Sequence, residues 1–199
     1  MADPVPGPPH PPLHARDPLP QVCRFGGGLI PDRNIWFRII ADLYSRTSQA
    51  VIPCHHACPD LLCETTDAEQ VLFLPYELEY IQDQLKLSLN PFEAVVLNGT
   101  AYGFMSGIRD CPYFKNPECL IHNLRPFDCR SFPILPIFNP DGPVDFQVSP
   151  YCPLSCKLVP DFFQLITSGW RDITPRLPEA WKAYYNIRCS KQQVNPLHR

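Results

Sequence analysis

The sequence predicts an α+β fold, a small metal-organised domain with short strands and with helices gathered at both ends. Three observations predict it. Apolar residues recur at helical spacing near the beginning, over residues 34–46, and again near the end, over 162–170 and 178–187. Between these stretches the apolar runs are short and broken by glycine and proline, a pattern of strands and turns. Eight of the ten cysteines fall into three local groups, Cys54/Cys58/Cys63, Cys111/Cys119/Cys129 and Cys152/Cys156. Thiols gathered that densely are either cross-linked or holding metal.

The helix predicted over Asn34–Arg46 carries Ile35, Trp36, Ile39, Ile40 and Leu43 as its apolar stripe, with Asp32 or Asn34 as its cap. Cys54 to Cys63 follows Pro53 and reads as a loop. Val71-Leu72-Phe73-Leu74 reads as a short buried strand. Pro75 then suits the first position of a helix, and Glu77 and Glu79 suit its positive end; its stripe runs through Leu78, Ile81 and Leu85 to about Leu87. Asn98-Gly99 between two apolar runs is a strong hairpin signal. Leu120–Leu124 allows one helical turn that must stop before Pro126. Pro133, Pro136, Pro140 and Pro143 forbid a regular helix after it. Val144–Val148 reads as an edge strand that delivers Cys152 and Cys156, and two closing helices follow.

At 199 residues, 45% of them hydrophobic, the chain can bury a real core in one domain. Residues 1–28 read as a proline-rich disordered or extended tail, with eight prolines in the first 21 positions; residues 29–199 read as a single cysteine-cluster domain. A net charge of −3 gives no electrostatic case for nucleic acid or for an anionic membrane. No run approaches the ~20 apolar residues of a spanning helix, and Met1–Pro6 lacks the basic flank and apolar stretch of a secretory signal. The expectation is therefore a cytoplasmic protein. Structural disulfides are rare there, which turns the cysteines toward metal. The competing reading is a secreted, disulfide-bonded domain.

The spacings are x3 and x4 in the first group, x7 and x9 in the second and x3 in the last. None is the two-residue spacing of zinc knuckles and ribbons, in which one tight turn aims two thiolates at one ion. Iron–sulfur clusters tolerate wider spacings. Cys58, Cys111 and Cys152 are each followed by proline, as in ferredoxin-type runs ending in Cys-Pro. The expected ligand set is Cys54, Cys58, Cys63, Cys111, Cys119, Cys129, Cys152 and Cys156, with His122 as a candidate nitrogen ligand and His55 and His56 behind it. The favoured cofactor is an iron–sulfur cluster or iron, with zinc as the alternative. Arg125 and Arg130 flank Cys129 and could offset thiolate charge or donate to sulfur; the plainer alternative pairs Arg125 with Asp128 in a local ion pair. His10 and His14 belong to the solvated tail. Cys23 and Cys189 lie outside the groups and read as buried or free thiols. Cys54-x3-Cys58-x4-Cys63 differs from the radical-SAM triplet in its last spacing. No dinucleotide, P-loop, zincin or hydrolase motif is present.

Cys119-Leu-Ile-His-Asn-Leu-Arg125-Pro126-Phe-Asp-Cys129-Arg130-Ser-Phe132-Pro133 resembles the C-x-I-Y-x-x-R-P-x-x-C-R-x-F-P signature of the YkgJ-like cysteine-cluster family, over roughly residues 50–156. That family is described as zinc- or iron-chelating, and flagellin lysine-N-methylases carry a similar cluster. Two departures stand out: the first group is spread out where the family has adjacent cysteines, and His122 stands where it has tyrosine. The resemblance implies metal binding and no particular reaction. Three functions follow as expectations: a redox or oxygen-linked metalloprotein, a structural zinc module that binds a protein or peptide partner, and an iron-dependent enzyme that modifies a protein or peptide.

Overall fold

The computed structural model describes residues 32–50, 70–86, 93–105, 111, 113–115, 118–149, 152 and 158–190. The expected tail and the Cys54–Cys63 loop lie outside the described residues. Helix α1 spans Arg33–Arg46 and starts where the cap signal places it. The Asp32 carboxylate accepts the Asn34 N–H at 2.6 Å. Trp36, Ile40, Leu43 and Tyr44 face the core, while Ile35, expected on the same stripe, is 42% exposed. It lies on the outer edge of the apolar arc.

Strand β1 is Val71–Leu72, shorter than expected because the chain turns at Pro75 and Tyr76. Helix α2, Glu77–Leu85, begins two residues after Pro75 because Tyr76 adopts a left-handed conformation, φ 59°. Strands β2, Glu93–Leu97, and β3, Thr100–Met105, form the expected hairpin. Asn98 at φ 50° and Gly99 at φ 82° provide the two positive-φ residues that a tight two-residue turn requires. β1 pairs antiparallel with β3, Val71 opposite Met105, giving the sheet order β1-β3-β2. A second, two-stranded ladder joins β4, Phe114–Lys115, to β5, Glu118–Cys119. The helical turn expected before Pro126 is a 3-10 turn over His122–Leu124.

Helix α3, Phe127–Ser131, was not legible as a helix in so short a stretch between prolines. β6, Ile134–Ile137, pairs with β7, Asp145–Val148, the strand expected there. Pro136 fits within β6 because this ladder has only two strands and leaves each strand one free edge. Helix α4, Pro160–Ile173, carries its proline at the first turn; α5, Glu179–Tyr185, passes into a π-helical turn over Asn186–Ser190. The second closing stripe therefore ends at Tyr185, and Ile187 is exposed.

These elements meet in one aromatic core. Trp36, Trp170, Trp181, Tyr185 and Phe127 are wholly buried. Phe138 makes edge-on contacts with Trp170, Trp181 and Tyr185, with ring centres 5.4 to 5.9 Å apart. α4 approaches α1 closely at Gly169, where a Cβ would stand 2.8 Å from Leu43 Cδ1 and 2.9 Å from the Phe127 ring. Among the described residues no helix is long and apolar enough to cross a membrane.

Candidate metal centre

Cys119 lies in β5, and Cys111 lies three residues before β4, the strand that β5 pairs with. Phe114 pairs with Cys119, and the Leu120 N–H bonds the Tyr113 carbonyl at 2.8 Å. Cys111 is close enough to Tyr113 that a thiolate there pushes the phenol up, adding to the larger effect of burial. The Cys119 sulfur accepts the Ile121 N–H and lies near the Arg125 guanidinium. Burial pushes this thiol up, and those two contacts draw it down. They are the groups that stabilise a metal-bound thiolate. His122 follows at the start of the 3-10 turn, half-buried.

Cys129 sits in the middle of α3, and its neighbours anchor that helix from both sides. Asp128 is 4% exposed, with Oδ2 accepting the Leu72 N–H at 3.0 Å and Oδ1 accepting the Tyr185 hydroxyl at 2.6 Å. Burial pushes its carboxyl up to about 7, against the pull of those two donors. Both its oxygens are thus engaged, and among the described residues no ion pair joins it to Arg125. Arg130, also 4% exposed, lies over the Tyr44 ring at 4.4 Å and donates to the carbonyls of Tyr44, Thr47 and Asn123 at 3.5, 3.4 and 2.7 Å. Burial draws its pKa down, while a Cys129 thiolate beside it would raise it. Arg125 and Arg130 are near enough to repel one another, and the Nε of each is buried without a hydrogen-bond partner among the described residues.

The anchoring of α3 bears on the first cysteine group. Thr47, on the N-terminal side of Cys54–Cys63, is bonded to Arg130; Leu72, on the C-terminal side, is bonded to Asp128. Cys129 lies between those two residues. The ends of the segment that carries Cys54, Cys58 and Cys63 are therefore tied to the helix that carries Cys129.

The first residue of α3 is held by a carboxylate that sequence reasoning read only as a helix-start acid. Glu77 is wholly buried; Oε1 accepts the Phe127 N–H at 2.7 Å and the Tyr44 hydroxyl at 2.8 Å, and Oε2 accepts the Leu74 N–H at 2.8 Å. Burial raises its pKa, and these three donors oppose the rise.

Cys152 is buried just beyond β7, and the Ser149 N–H ties that exit to the Pro133 carbonyl at 2.8 Å. Cys189 is a wholly buried thiol in the terminal turn, pushed well up by burial and by the nearby Asp128. Cys54, Cys58, Cys63, Cys156, His55, His56, His10, His14 and Cys23 lie outside the described residues. Among the described residues no three side chains of His, Cys, Asp or Glu gather closely enough to hold a metal ion.

No protein-family model, no curated protein and no solved structure matches this chain.

Proposed function

We propose that this chain is a metal-binding cysteine-cluster protein of the YkgJ-like kind, holding an iron–sulfur cluster, or an iron or zinc centre, through clustered thiolates. The observation that carries the reading is the tethering of α3. Asp128 and Arg130, on either side of Cys129, bond the chain at both ends of the segment containing Cys54, Cys58 and Cys63. The residues that would hold metal are those cysteines with Cys111, Cys119, Cys129, Cys152 and Cys156, and with His122 as a nitrogen donor. Bound iron–sulfur would supply one-electron transfer or oxygen-linked chemistry. Arg125 and Arg130 provide fixed positive charge beside Cys119 and Cys129, and their two Nε–H groups, without a partner among the described residues, are donors of the type that thiolate sulfur accepts.

A purely structural zinc centre is the second reading. The two-residue β4–β5 ladder favours it, because so short a pairing is marginal unless another link holds its arms. Anaerobic purification followed by iron, zinc and acid-labile sulfide analysis distinguishes the two. Iron with acid-labile sulfide in coloured protein is the expected result; stoichiometric zinc in colourless protein selects the structural reading. Cys111→Ser, Cys119→Ser and Cys129→Ser are each expected to lower metal content. Full metal retention in all three would overturn the proposal.

A further inference from the structure

Strand β2 closes one side of the sheet β1-β3-β2, so one of its two backbone edges faces away from the ladder. The hydrogen-bond phase says which groups lie on that edge. The Phe73 N–H bonds the Gly103 carbonyl at 2.9 Å, so Gly103 turns its backbone groups toward β1 and away from β2. Ala94 lies opposite Gly103, and Val96, two residues on, lies opposite Ala101. Bonded and non-bonded pairs alternate along an antiparallel ladder, so Ala94 and Val96 both turn their N–H and C=O outward. Among the described residues nothing bonds these four groups. Edges of this kind are ordinarily blunted by lysine, proline or a bulge. β2, Glu93-Ala94-Val95-Val96-Leu97, has none of them, and its register with β3 is unbroken.

The strand is complementary to itself. Laid antiparallel across a two-fold axis at Val95, it sets Ala94 opposite Val96 of the second copy, and Val96 opposite that copy's Ala94. All four outward groups of each copy are then satisfied in a single register. Side chains agree with this register. Val96 is 65% exposed, and it shares the outer face of the sheet with the small Ala94. Ala94 in turn walls an open cleft of about 470 Å³, together with Leu74, Leu78 and Ala101. The two-fold brings Val96 of each copy against Ala94 of the other, at the border of this apolar cleft. Charge agrees as well. The strand's one charged residue, Glu93, falls opposite Leu97, and the two carboxylates stand four positions apart, about 13 Å along the strands, beyond the screening length of ~8 Å.

We infer that β2 is a self-association edge, through which two copies of this chain join their sheets into one of six strands, β1-β3-β2-β2-β3-β1. Five paired residues a side bury less than the ~1,200 Å² of lasting complexes, so the dimer is a weak one that forms as the protein is concentrated.

The test is sedimentation of the full chain under reducing conditions from about 10 μM to about 1 mM, the range in which an interface of this size assembles, with amide exchange measured at both ends of the range. The average mass is expected to rise from one chain toward two, and the Ala94 and Val96 amides are expected to gain protection with it. Val96→Pro removes an outward N–H and no bond to β3, and Val96→Lys places a charge on an exposed site, so thermal melts of the dilute variants should match the parent. Each is expected to weaken the dimer about tenfold or more, because each change acts twice across the axis. A chain that stays monomeric at about 1 mM would overturn the inference. So would a dimer that both variants leave intact, which would lie on another surface. Protection of Ala94 and Val96 that is already complete in the dilute monomer would overturn it too, by placing a segment of the same chain on the edge.

Discussion

Replacing Glu77 with Gln removes one oxygen from a buried site at which three donors converge. The carboxylate accepts the Phe127 N–H, the Tyr44 hydroxyl and the Leu74 N–H, and none of it reaches solvent. An amide can place its oxygen toward Phe127 and Tyr44 or toward Leu74, and its NH2 then faces the backbone N–H on the other side. Tyr44 can turn to accept, but a backbone N–H cannot. Either orientation leaves one buried N–H unsatisfied, which costs about 1–3 kcal/mol. Removing a desolvated charge returns part of this. The expected net loss is about 2 kcal/mol, or a fall of about 1 M in the urea midpoint. Tyr44→Phe removes one donor and leaves the two backbone bonds, so it should cost about 1 kcal/mol. The pH dependence has a definite sign. Glu77 has a folded pKa above its unfolded one, so its contribution to stability is full below the unfolded value and declines as pH rises toward the folded value. Glu77→Gln has no such decline, so the gap between parent and variant should be widest in acid. Urea unfolding at several pH values reads all of this. A Glu77→Gln variant within about 0.5 kcal/mol of the parent, or less stable by less than Tyr44→Phe, would refute the claim that this carboxylate holds the start of α3.

Gly169→Ala should destabilise by about 1–2 kcal/mol in thermal melts, because the new methyl meets Leu43 and the Phe127 ring and the overpacking exceeds the gain in helix propensity. Cys189→Ser should lower stability by about 1–3 kcal/mol by burying a hydroxyl, with metal content per folded molecule unchanged by elemental analysis; lost metal would make Cys189 a ligand. Gly99→Ala should cost about 1 kcal/mol through its φ of 82°, with open space around the new methyl.

The legible parts of this fold are those that local rules govern. Asp32 caps α1, Asn98-Gly99 turns β2 into β3, and the apolar stripe of residues 162–170 becomes α4. Each depends on residues within a turn or two of one another. The elements that went unseen, α3, β6 and the β4–β5 ladder, are short, and partners far along the chain fix them. α3 is five residues between prolines, with no propensity to speak of. It exists because Glu77, fifty residues earlier, accepts its first N–H, and because Leu72 and Tyr185 engage Asp128. Nothing in the local pattern of Pro126-Phe-Asp-Cys-Arg announces those contacts.

The same contacts give the charged residues of the densest motif in the sequence a structural part that the sequence did not announce. Its charged residues drew attention as possible partners of metal or of one another. Asp128 and Arg130 are also anchors: both are almost wholly buried and bonded to β1, α5 and the end of α1. Cys129, between them, remains only partly buried. The alternation is a helical one: residues on either side of a position diverge by about 100° around the axis, so two inward anchors can aim the residue between them elsewhere. A carboxylate and a guanidinium buried this deeply would be a liability in a core built for stability alone. Here they tie the helix that bears Cys129 to the chain on both sides of the segment that bears Cys54, Cys58 and Cys63.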